Sequence, residues 1–271
     1  MGLFNDLFRR PASQTPESPT QTLENPPVLR AANLQGIGAR EGQEDSFAIL
    51  GASNPAESGL FALVADGMGG MLDGKAASEW AAECLLQLYQ ERRPGQPMPE
   101  WYYQTVHAVS DSVYQRFGGR SGTTLVSVHI QENSLLWLSA GDSGIFLSRN
   151  GGVFQLNREH TCLNRLYLQE LEREVIDKRR VEADPDAPRL TSFVGMERLA
   201  EVDLSLRPLT LERGDALLLC SDGVSGVLTP PELLEAMALD PEEGCVLLER
   251  MVLEKGVPGQ DNYTGILIAC R

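Results

Sequence analysis

From Val28 onward the chain alternates between short apolar runs and amphipathic stretches. DSFAILG, LFALVAD, TTLVSVHI, SLLWLSAG and GIFLSRNGGVFQL read as strands, and RNGG supplies a hairpin turn. Two helices intervene. In GKAASEWAAECLLQLYQERR the residues Ala77, Trp80, Ala81, Cys84, Leu85 and Leu88 recur at helical spacing and form one stripe. EWYYQTVHAVSDSVYQRF repeats the pattern with Tyr102, Val106, Val109, Val113 and Phe117. Strands return at ALLLCSD and TGILIAC, with a helix between them opened by Thr229-Pro230-Pro231-Glu232, a capping box with proline at the first position. Strands clustered before and after a helical pair, without strict β-α alternation, predict antiparallel sheets with helices packed outside. The expected class is α+β, a β-sandwich of two antiparallel sheets flanked by helices on both faces.

Ahead of this pattern, Pro11 to Pro27 is rich in Pro, Ser, Thr and Gln and nearly free of large apolar side chains. Such a composition cannot offset the entropy of ordering, so residues 1–27 are expected to be a disordered tail and residues 28–271 one domain. The tail's first residues, with Leu3, Phe4, Leu7 and Phe8, read as a frayed terminus.

The chain of 271 residues has a net charge of −15 and a pI near 4.7. An acidic surface without a basic patch repels phosphate backbones and argues against nucleic acid as a partner. The five cysteines are widely spaced with no C-x-x-C, which fits buried thiols in a reducing compartment. No apolar run approaches the ~18 residues of a membrane span, and MGLFNDLFRR is too short in its apolar part for a signal peptide. The cytoplasm is the expected location, and a monomer the default state.

Charge at the strand ends changes the picture more. Asp66 follows LFALVA, Asp142 follows LLWLSAG, Asp222 follows ALLLCS, and Asp261 precedes NYTGILIAC. GIGAREGQEDSFAIL places Arg40, Glu44 and Asp45 just ahead of another strand. A turn accounts for any single Asp-Gly. Several carboxylates on one sheet rim need more, because clustered anions raise one another's pKa unless a cation neutralises them. Hard ions such as Mg²⁺ or Mn²⁺ favour such oxygen ligands.

The sequence resembles the metal-dependent protein serine/threonine phosphatases, the type 2C family, in its compact bacterial form. The blocks appear in order as AREGQED, VADGMGGMLDGKAAS, SGTTLVSV, LSAGDSG, LNREHT, LTSFVG, LLLCSDGVSGVL and DNYTGILI, covering residues 31–270 or so. The resemblance implies a centre of two Mn²⁺ or Mg²⁺ ions and direct attack on a phosphomonoester by a metal-bridging water. Asp66 would bridge both ions, the Gly67 carbonyl would meet one, and Asp222 and Asp261 would hold the other. Asp142 would hold a third, weaker ion. Glu44 and Asp45 would orient water, and Arg40 would grip phosphate oxygens through its planar fork. The implied substrates are phosphoserine and phosphothreonine proteins, the targets of a cognate kinase.

Three positions depart from the family pattern. Gly144 follows Ser143 where arginine is frequent, Gln43 replaces an asparagine, and Met68 stands where eukaryotic members carry a histidine proposed to protonate the leaving alcohol. The last leaves the general acid unidentified. By the same resemblance, Cys162 to Pro188, with Leu163, Tyr167, Leu171 and Val175 on one stripe, is a helical flap over about 161–189. His160 is expected to anchor it, while His107 and His129 are expected to be unexceptional.

Two rivals stand against this reading. AGDSGIF resembles the nucleophile segment of trypsin-like proteases, with Ser143 as nucleophile, but no histidine lies suitably upstream. A catalytically weak pseudophosphatase acting as a binding module would have lost a metal carboxylate, and Asp66, Asp222 and Asp261 are all present.

Overall fold

The computed structural model describes residues 27–51, 59–68, 73–93 and 95–271. The expected tail, apart from Pro27, lies outside the described residues, as do positions 69–72 of the second block. Two antiparallel sheets form the centre. One runs β1 (Leu29–Gly36), β12 (Tyr263–Cys270), β11 (Ala216–Cys220), β7 (Gly144–Arg149), β8 (Gly152–Gln155). The other runs β10 (Leu209–Thr210), β6 (Ser134–Ala140), β5 (Leu125–Gln131), β3 (Leu60–Met68), β2 (Asp45–Leu50). Two short strands join its flanks, β4 (Gly122–Thr123) on β3 and β9 (Asp203–Leu204) on β6.

The period of two along β3 explains the layers. Leu60, Ala62 and Val64 point one way, into a core shared with Val126, Val128, Ile145, Leu217, Leu219, Ile266 and Ile268 of both sheets. Phe61, Leu63 and Ala65 point the other way, against helices α1 (Asp73–Gln90) and α2 (Met98–Phe117). A third core packs Leu218, Cys220 and Leu267 of the opposite sheet against α6 (Pro230–Met237) and α7 (Pro241–Lys255). The predicted sandwich with helices on both faces is the observed fold. The α2 stripe is buried throughout, and in α1 Ala77, Ala81 and Leu85 are buried while Trp80, Cys84 and Leu88 are half-buried.

Local signals hold at several joints. Asn150 and Gly151 take positive φ in the β7–β8 turn, and Thr229 with Glu232 forms the capping box of α6. Between β11 and β12 the structure has three helices instead of one. A single turn, α5 (Asp222–Ser225), precedes α6, and α7 restarts at Pro241 after the break at Leu239-Asp240. β1 also adds to the sequence reading: its burial alternates weakly and only Leu29 and Leu34 are buried.

The segment expected to be a flap differs from its predicted stripe. Its first helix, α3 (Cys162–Leu171), ends before Val175, and the second, α4 (Lys178–Glu182), starts three residues later. Leu163 and Tyr167 are half-buried, but Leu171 and Val175 are exposed because no continuous helix carries the stripe that far. A buried carboxylate holds the two helices together: Glu170 pairs with Arg180 at 3.0 Å and Arg173 at 3.1 Å, and accepts the Asp177 N–H at 2.9 Å.

Candidate active site

Strand register brings the acids to one rim. Asp45 opens β2 directly opposite Asp66 on β3. β6 runs antiparallel to β5 with Ala140 opposite Leu125, so Asp142 emerges beside the Asp66 end. In the other sheet, Cys220 pairs with Gly144 and Gly265, which puts Asp222 and the start of β12, with Asp261 before it, at the same end. Each sheet supplies part of the set.

A cavity of about 430 Å³ opens there, lined by Arg40, Glu44, Asp66, Gly67, Met68, Thr124, Asp142, Asp222 and Asp261. Gly67 is glycine for a steric reason: a Cβ would collide with the carbonyl oxygens of Gly74 and Glu44. Asp45 is buried behind this wall and borders a separate outer cavity with Gln35, Gln43 and Lys75. Its Oδ2 accepts the Ser221 hydroxyl at 2.9 Å.

The electrostatics are those of anions crowded into a dry place. Burial pushes the Asp66 carboxyl well above the usual range, and Asp45, Asp222, Asp142 and Asp261 add to the push. Asp142 rises to about 7 by burial, then by the Asp222 charge. Burial raises Asp45 to about 6 against the hydrogen bonds of Thr264 and Ser221. Asp222 is raised by burial and by Asp261, and drawn back by a hydrogen bond with Asp66. Asp45 Oδ1 and Asp222 Oδ1 are buried without a hydrogen-bond partner. Unmet acceptors in a ring of like charges fit a hard divalent cation, which supplies the missing positive charge and takes oxygen donors. Among the described residues no three such side chains are gathered into a ready-made ion cage. Arg40 instead holds Asp261, Nη2 to Oδ2 at 2.6 Å, with both side chains partly exposed.

The supports were not legible in the sequence blocks. Asn262 donates to the carbonyls of Ile37 and Gly42 at 2.9 and 3.0 Å and accepts the Glu44 N–H at 2.8 Å, fixing the loop that carries Arg40. Gln43 bridges the Gly36 carbonyl and the Asp45 N–H at 3.0 and 2.9 Å, so the amide that departs from the family pattern still braces the loop. Thr124 Oγ1 accepts the Asp66 N–H at 3.0 Å and meets Ser143 Oγ at 2.7 Å. Ser143 is fully buried in that contact, which rules out the protease-like nucleophile. A side chain at Gly144 would run into the Phe146 ring.

The segment proposed as a flap stands beside the cavity, with Pro188 and Leu190 in its wall. His160 is buried at its root. His107 lies on α2 with its ring against Tyr103. His129 is less ordinary than expected: it is buried, bonded to the Tyr89 hydroxyl at 3.1 Å, and burial lowers its pKa to about 4.

The family model for protein phosphatase 2C matches residues 38–243. The serine/threonine phosphatase stp of Listeria monocytogenes is 27% identical over 217 residues, 76% of this chain and 82% of that one. The crystal structure of the Mycobacterium tuberculosis serine/threonine phosphatase PstP/Ppp matches with a TM-score of 0.74 and 26% identity, over 90% of this chain and 99% of that one. The catalytic domain of PstP in complex with two manganese ions matches with a TM-score of 0.69 and 26% identity, over 89% and 98% of the two chains.

Proposed function

The chain belongs to the protein phosphatase 2C family, and on that premise we propose that it removes phosphate from phosphoserine and phosphothreonine side chains of proteins. Asp66 carries the reading, a cavity-facing carboxylate pressed by four other aspartates drawn from both sheets. Two Mn²⁺ or Mg²⁺ ions would be held there, with Asp66 reaching both, the Gly67 carbonyl joining one and Asp222 and Asp261 the other. Asp142 would hold a third, weaker ion. When bound, such cations lower the pKa of a bridging water and clamp the oxygens of an in-line displacement.

The chain's own residues do the rest. Arg40 turns from Asp261 to the substrate and takes two phosphate oxygens in its planar fork. Glu44 on the cavity wall holds the attacking water in line, while Asp45, which borders the other cavity, braces that wall through its bond with Ser221. The water oxygen bonds to phosphorus and the water gives up a proton to solvent, as the phosphorus–oxygen bond to serine or threonine breaks and the alcohol oxygen takes a proton from solvent. No cysteine or serine nucleophile is needed, which suits the burial of Ser143 and Cys220.

Phosphorylated proteins made by a cognate serine/threonine kinase are the proposed substrates. We place the protein in the cytoplasm as a monomer, where its five free thiols stay reduced. No helix among the described residues is long and apolar enough to cross a membrane. The pseudophosphatase alternative has no observation in its favour, since every proposed metal carboxylate is present and faces the cavity. Phosphate release from a phosphothreonine peptide is expected with Mn²⁺ or Mg²⁺, to vanish with excess chelator and to return when metal is added back. Turnover indifferent to chelation would overturn the proposal.

A further inference from the structure

His160 is 1% exposed and lies between two elements used by the proposed reaction, the turn that carries Asp142 and the flap. Three hydrogen bonds pass through it. Its Nδ1 accepts the Gly141 N–H at 3.1 Å, its own N–H donates to the Gly141 carbonyl at 2.8 Å, and its carbonyl accepts the Thr191 N–H at 2.8 Å. One residue further on, the two ends of the flap are joined by the Thr161–Leu190 bridge and the Cys162 N–H to the Arg189 carbonyl at 2.8 Å. Because Nδ1 accepts, the neutral ring carries its proton on Nε2, and that atom is buried without a hydrogen-bond partner. An unmet buried donor costs stability, so the far side of the ring does not explain the histidine. The near side does.

The turn it grips is closely confined. Gly141 has φ of +110°, and a Cβ there would lie 2.7 Å from the Thr124 Cβ. Thr124 is the residue whose hydroxyl accepts the Asp66 N–H and meets Ser143. The turn is therefore fixed to the Asp66 strand on one side and to His160 on the other. Pro188 and Leu190 of the cavity wall descend from the same flap root.

We propose that His160 is a positioning residue: its imidazole ties the Gly141–Asp142 turn to the flap root, so that Asp142 and the flap wall keep one spacing across the cavity. The word positioning rests on the phosphatase reading above, whereas the tie itself rests on geometry. Two amide variants separate the tie from mere bulk. His160→Asn places its carbonyl oxygen where Nδ1 sits, while His160→Gln carries its amide out to the Nε2 position.

The readouts on chelator-treated protein are hydrogen exchange at the Gly141 amide and tryptic cleavage at Arg165 and Arg173. Turnover of a phosphothreonine peptide with Mn²⁺ is followed in parallel. His160→Gln is expected to exchange and be cleaved about tenfold faster than wild type, the loss of one neutral hydrogen bond, with a comparable fall in kcat. His160→Asn is expected to stay within about twofold of wild type on all three. Equal behaviour of the two variants, or an unprotected Gly141 amide in a folded His160→Asn protein, would overturn the tie. If the wild type proves inactive, the phosphatase reading falls while exchange still decides the tie.

Discussion

Met68 stands on the cavity wall, at the position where the resemblance puts a histidine proton donor in eukaryotic members. A thioether donates no proton, so the departing oxygen must leave as an alkoxide or be protonated by water. General acid catalysis is commonly worth about 10²–10⁴-fold, and its absence weighs most on poor leaving groups. Across substituted aryl phosphates kcat should therefore fall steeply as the leaving-group pKa rises, and Met68→His should flatten that slope. A flat series with chemistry rate-limiting would reveal a proton donor elsewhere in the site. The acids around Met68 were legible because each stands beside an apolar run, and a strand end is a local signal. Their supports were not, because the fold alone makes the pairs: Ser221 reaches Asp45 across 176 residues, and Asn262 holds the Glu44 N–H across 218.

At the scale of elements, the segment proposed as a flap depends on charge more than on the apolar stripe its sequence suggests. Glu170 is 3% exposed and bonds Arg180, Arg173 and the Asp177 N–H, joining α3, α4 and the loop between them. Arg173 and Arg180 are half exposed and stay solvated without it, so removing Glu170 costs the hydrogen bonds to its charge, about 1.5–3 kcal/mol locally. Glu170→Ala is expected to speed tryptic cleavage at Arg173 and Arg179 by at least about tenfold, while the midpoint of global unfolding moves little. Unchanged cleavage would show that the flap is held by other contacts. Long periodic helices such as α2 were readable because one stripe faces one core. β1 and the split between α6 and α7 were not, since a weakly alternating edge strand and a proline restart leave little periodicity to read.

The whole molecule adds terms that no element carries alone. His129 lies in β5 with its ring bonded to Tyr89 of α1, and burial, then the nearby Arg92 charge, lowers its pKa from 6.5 to about 4. A lowered folded pKa means that the unfolded chain binds the proton first as the pH drops. Stability is thus fully present above about pH 6.5, is lost on acidification towards pH 4, and levels off below that. The loss from this one group is about 3 kcal/mol at most, from about 1.4 kcal/mol per pH unit. Urea unfolding of wild type and His129→Gln between pH 7 and 4.5 should show a steeper decline in wild type; parallel curves would contradict it.

The central claim is that two sheets close on one place to hold cations between their aspartates, with Asp66 shared. Calorimetric titration of Mn²⁺ into chelator-stripped protein tests it most directly. Wild type should take up two tightly bound ions, and Asp66→Asn, still folded by circular dichroism, should lose tight binding at both. Two ions bound to Asp66→Asn with wild-type affinity would contradict the account.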